Sequence, residues 1–74
     1  MFNSKYKKAL KEIDSEIAQY EAEMKYYDDM YENLRKIEPD NINCIEAAFY
    51  MYEQYKNRRY SLMRLRDKLT HDIG

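Results

Sequence analysis

Ile37-Glu38-Pro39-Asp40-Asn41-Ile42-Asn43 gathers the chain's single proline with a cluster of turn-forming residues. Proline lacks an amide hydrogen and disfavours helical geometry at the residue before it. A helix arriving from the N-terminal side therefore has to end by about Glu38. Asp40 and Asn41 favour caps and bends. Just beyond them, Asn43 with Glu46 three residues later has the form of a capping box that opens a second helix. Ile42 and Ala47 have the form of a modest hydrophobic staple at the same place.

Reading outward toward the N-terminus, apolar residues fall at Tyr6, Leu10, Ile13, Ile17, Tyr20, Met24, Tyr27, Tyr31 and Leu34. Their spacing alternates three and four, which is the heptad seam of a helix that packs along its length against another. Asn3 or Ser4 can cap its start. Toward the C-terminus the pattern is less regular. A register through Ile45, Ala48, Tyr52, Tyr55, Arg59, Leu62, Arg66, Leu69 and Ile73 places two arginines on the seam. Phe49 and Met63 flank it on one side, Met51 and Leu65 on the other, so this apolar face is wider than one neighbouring helix can cover. No glycine or proline interrupts either helix, since the only glycine is Gly74.

The sequence thus predicts an all-α fold over 1-74: one antiparallel, coiled-coil-like two-helix hairpin with helix 4-38, turn 39-43 and helix 44-73. Folding at the turn sets residues side by side whose numbers sum to about 81. Arg59 then falls near Glu21 and Glu23, Arg66 near Asp14 and Glu16, and Lys56 and Arg58 near Glu23 and Asp28. Arginine can lay its stem along the apolar seam while its guanidinium reaches those carboxylates. The charge pattern and the turn therefore agree on the same pairing.

Seventy-four residues rarely bury enough apolar surface to offset conformational entropy without reinforcement. A disulfide cannot supply it, because Cys44 is the only cysteine. A structural zinc site lacks ligands too, with Cys44 and His71 the only soft ones. Association is the remaining route, so a homodimer forming a four-helix bundle is expected. Its interface is predicted on the second helix at Met51, Tyr55, Leu62, Met63, Leu65 and Leu69.

A formal net charge of −1 argues against a dedicated nucleic-acid binder. No apolar run approaches the roughly 20 residues of a membrane span. Met1 to Lys11 lacks the apolar stretch of a secretory signal. A free cysteine without an export signal fits the cytoplasm. Enrichment in Tyr, Asn, Lys and Ile is typical of AT-rich coding sequence, which points to a low-GC bacterium or its phages. The charges also segregate along the hairpin. Residues 26-54, at the turn end, hold seven acids and two bases for a net of −5, while the remainder holds eleven bases and seven acids for +4.

Two surfaces stand out as candidate sites. At the acidic turn end, Tyr26, Met30, Phe49, Tyr50 and Met51 form an aromatic and methionine patch on or beside the outward face. Such residues bury much area at modest ordering cost, which suits a protein interface. At the other end Lys5, Lys7, Lys8 and Lys11 face Arg64, Arg66 and Lys68, with Tyr6 and Tyr60 interleaved. Stacking and phosphate contacts there are the chemistry of single-strand binding. The lysines, however, point in several directions round their helix, and no zinc-finger, basic-zipper or helix-turn-helix spacing accompanies them.

The chain offers no catalytic constellation. Cys44 sits at the predicted start of the second helix, a place for a reactive thiol. Its only candidate base, His71, lies on the same helix about 40 Å away at helical rise. The commoner role for such a cysteine is a small buried filler. Asp67 and His71 stand four apart without a third metal ligand, no Glu-x-x-His pair marks a di-iron bundle, and no glycine-rich loop can cradle phosphate. No enzyme activity, cofactor or small-molecule substrate is expected. The expected function is a non-enzymatic protein-protein interaction module. It would be a small regulator or inhibitor, in character like those phages and mobile elements encode, that occludes or bridges a larger protein partner. The alternatives are a structural subunit of an assembly and nucleic-acid binding through the basic end.

Overall fold

Pro39 ends the first helix as the backbone argument requires. In the computed structural model, which describes the backbone of residues 4-73 and the side chains of residues 6-71, α1 spans Ser4–Ile37 and α2 spans Ile42–Ile73. Among the described residues none has a positive φ and no peptide bond is cis, so α1 stops without a left-handed glycine cap. Its last bonded amide is that of Glu38, which donates to the Leu34 carbonyl at 2.8 Å. Arg35 and Lys36 occupy the last turn, where positive charge complements the helix dipole. The chain then reverses within four residues: the Asn41 amide donates to the Glu38 carbonyl at 3.0 Å and the Ile42 amide to the Asp40 carbonyl at 2.9 Å.

The start of α2 differs from the expectation by two residues. The helix begins at Ile42, not at residue 44, because Asn41 rather than Asn43 is its cap. The Asn41 side-chain Oδ1 accepts from the Cys44 amide at 3.4 Å, and the Asn41 carbonyl accepts from the Ile45 amide at 3.1 Å. The third helical position is then Cys44, which has no carboxylate to return a hydrogen bond, so the Asn43 and Glu46 capping box is not formed. Ile42 is 60% exposed and Ala47 is exposed, which leaves no staple between them. Cys44 is exposed, not the buried filler its residue type suggests. It stands in the first turn of α2, beyond the reach of the α1 seam.

The two helices pack along their length into a rod of 57 × 14 × 13 Å. Every expected seam residue of α1 from Leu10 to Leu34 is half-buried, whereas Tyr6, near the open end, is exposed. On α2, Ile45, Tyr52, Tyr55, Arg59, Leu62, Arg66 and Leu69 are half-buried and Ala48 is buried. The seam register is therefore as read from the sequence. Asn3, one of the two expected caps, and the side chains of Ser4, Lys5 and Ile73 lie outside the described residues. No described helix is long and apolar enough to cross a membrane.

Cross-helix contacts fix the register. Arg59 Nε donates to Glu21 Oε2 at 2.9 Å and Arg66 Nε to Asp14 Oδ1 at 2.6 Å. Both pairs are a third to a half exposed, so each contributes about 1 kcal/mol or less to stability. Tyr31 meets Phe49 at 5.8 Å between ring centres, and Tyr27 stacks on Tyr55 at 5.9 Å with planes 13° apart. Tyr20 also meets Tyr55, at 5.8 Å with the planes tilted by 46°. The expected ion pairs of Lys56 and Arg58 with Glu23 and Asp28 do not form; Arg58 lies over the Tyr55 ring at 5.3 Å instead. Against a half-buried aromatic, a guanidinium is held by the ring face as well as by any carboxylate.

Candidate functional site

The two edges of the seam are built differently. Asp14, Glu21 and Asp28 recur every seven residues and so share one edge of α1. Phe49, Lys56 and Met63 do the same on α2. Asp28, Tyr31, Phe49 and Tyr52 line one shallow depression, which places these two series on the same side. Both arginine–carboxylate pairs close this edge.

On the opposite edge Glu16, Glu23 and Met30 recur along α1, and Met51, Arg58 and Leu65 along α2. Gln19, Tyr20, Glu23, Tyr55 and Arg58 line a groove there, and the groove continues past Gln54, Asn57, Ser61 and Leu62. Among the described residues no ion pair crosses this edge. Small side chains at Ala47 and Ser61 keep it shallow. Leu65 is 45% exposed and Met51 half-buried.

The turn-end residues stand as follows. Tyr26 and Tyr50 point outward, at 53% and 61% exposure, and Phe49 leaves half its surface in solvent while touching Tyr31. Met30 and Met51 are half-buried beside the seam. Tyr26 sets its ring edge against Tyr27 at 5.0 Å, so the outward ring is braced from within its own helix. Partial desolvation first, then the charges of Tyr55, Glu23 and Tyr26, hold the Tyr27 hydroxyl above the usual phenol range. Tyr26 and Phe49 belong to opposite edges, so the patch wraps the turn end instead of forming one flat surface.

Of the residues expected on a second-helix interface, Tyr55, Leu62 and Leu69 are taken up in packing against α1, whereas Met63 and Leu65 are exposed. At the open end Lys7, Lys8, Lys11, Arg64 and Lys68 are exposed. Arg64 lies over the Tyr60 ring at 5.9 Å, and Arg66 is tied to Asp14. Cys44 and His71 stand near opposite ends of α2 and do not meet. Among the described residues no three His, Cys, Asp or Glu side chains are grouped to hold a metal. Asp67 and His71 share a shallow groove with Arg64 and Lys68, whose positive charges oppose a cation.

Compared with protein-family models, curated proteins and solved structures, the chain matches none. Its function has to be read from its surfaces.

The main such signal is unburied area. Among the described residues Ala48, at 2% exposure, is the only buried hydrophobic side chain, while nine large hydrophobics are exposed. The chain presents 6080 Å² to solvent. A compact monomer of 9.2 kDa would present about 4,900 Å². The excess is on the order of 1,100 Å² of total surface, as an elongated rod of 57 × 14 × 13 Å requires. Sequence reasoning finds the flanking residues but not this magnitude, which follows from a seam only one side chain deep.

Proposed function

We infer that the protein is a non-enzymatic interaction module: a small regulator or inhibitor that associates through its second helix and holds a larger protein at its turn end. The observation that carries this reading is the exposure of nine large hydrophobic side chains on a rod in which, among the described residues, Ala48 is the only buried hydrophobic one. A hairpin of this kind gains stability by covering its flanks; aromatic residues bury the largest areas there and methionine adapts to irregular surfaces. Tyr26 and Tyr50 are spread on the outward faces near the turn, in the acidic half of the molecule. A partner surface with basic and apolar character would complement them. A rod of 57 Å is long enough to block or bridge sites on a larger protein without chemistry of its own.

The test is capture by the tagged protein from cells, repeated with Tyr26→Ala and Tyr50→Ala combined. Both rings leave most of their surface in solvent, so the variant should keep its helical circular dichroism while losing a partner that the unaltered protein retains. A partner held equally by both proteins would show that the turn-end patch is the wrong surface.

A further inference from the structure

The edge of the seam without ion pairs carries a pattern that selects its occupant. Met51 and Leu65 stand seven residues to either side of Arg58, and Arg58 lies at the middle of α2 (Ile42–Ile73). An antiparallel copy of the same helix therefore places methionine against leucine twice with the two rods fully overlapped. The charge distribution favours the same direction. The turn half carries −5 and the remainder +4, so antiparallel rods set acidic against basic at both ends, whereas parallel rods set like against like. The ends of a 57 Å rod lie several screening lengths apart at physiological salt, so each end responds to what is beside it.

We propose that a second copy of the chain covers this edge, laid antiparallel, with Met51 of each α2 against Leu65 of the other across a two-fold axis at Arg58. This deepens the interaction-module reading and rests on its self-association part. Small residues at Ala47 and Ser61 let the two helices approach. At the axis the two Arg58 side chains meet, each over its own Tyr55 ring and each sharing a groove with Glu23. Two arginines and two glutamates form a neutral set there.

Cys44 supplies the reporter, since it is the only cysteine and is exposed. A nitroxide on Cys44 and dipolar electron resonance measure the distance between the two labels of a dimer. The proposed arrangement places them roughly 40 Å apart at helical rise. A parallel pair would place them within about 20 Å, given the interaxial spacing of packed helices. Leu65→Glu should abolish the dipolar signal and weaken the dimer by about tenfold or more, whereas Met63→Glu, on the other edge, should retain both. A dimer with the short distance, or one lost only with Met63→Glu, overturns the arrangement and leaves the module reading in place. A chain that stays monomeric by light scattering overturns self-association itself.

Discussion

The turn half and the open half of the rod close the same seam with different materials. Near the turn the helices meet through Tyr27 on Tyr55, Tyr31 on Phe49 and the buried Ala48. Toward the termini the aromatic contacts give way to aliphatic residues and to two arginines bound to Glu21 and Asp14. Burial of rings is insensitive to salt, while partly exposed ion pairs are screened. The comparison teaches that the turn half carries stability and the open half carries register. It also locates the weak point, because fraying should begin at the termini and stop near Tyr55.

The largest effect is expected at Ala48. Ala48→Glu puts both bulk and charge into a buried site and should cost about 3 kcal/mol or more, abolishing cooperative thermal unfolding followed by circular dichroism. Unchanged melting would mean that the helices do not approach at this position. Next comes Tyr27→Ala, which removes a stacked, half-buried ring, at a cost of about 2 kcal/mol in denaturant unfolding.

The comparison with the sequence divides along the same line. The α1 seam was readable because a three-four spacing uninterrupted from Tyr6 to Leu34 has few alternatives, and Pro39 leaves one place to turn. With both fixed, the pairing of Arg59 with Glu21 and of Arg66 with Asp14 follows from chain geometry. The start of α2 was not decided in this way. Asn41 and Asn43 are equally good capping residues by type, and the choice between them depends on how tightly the chain reverses after Pro39. Cys44 is exposed because it lies off the seam in the first turn of α2, where the hairpin ends. Arg58 went to Tyr55 and not to a carboxylate because a long side chain chooses among neighbours by local geometry that spacing does not encode. The candidate surfaces were legible as residues flanking a seam. Their area was not, because it depends on how little a two-helix seam encloses.

Smaller effects should sharpen the contrast between the halves. Replacing Arg59 and Arg66 together by methionine keeps their stems and removes their charges, so the loss should be about 1 kcal/mol or less per pair. Added salt should destabilise the unaltered protein more than this variant. Equal salt responses would show that the ion pairs set register without contributing stability. The smallest effect concerns Tyr27. Its hydroxyl holds its proton more tightly in the folded chain than in the unfolded one, so its contribution is present below the ordinary phenol range. That contribution is lost as pH rises through the raised folded value. Alkaline titration of unfolding should therefore show a slight loss of stability that Tyr27→Phe removes.

The hairpin leaves large hydrophobic side chains on its flanks exposed. Sedimentation equilibrium on the intact chain across a wide concentration range, with helical content read in parallel, tests directly whether a second copy covers them. The account predicts a mass approaching twice 9.2 kDa as concentration rises, with thermal stability increasing alongside. A mass fixed at that of one chain, with full helicity and a melting temperature independent of concentration, would contradict it.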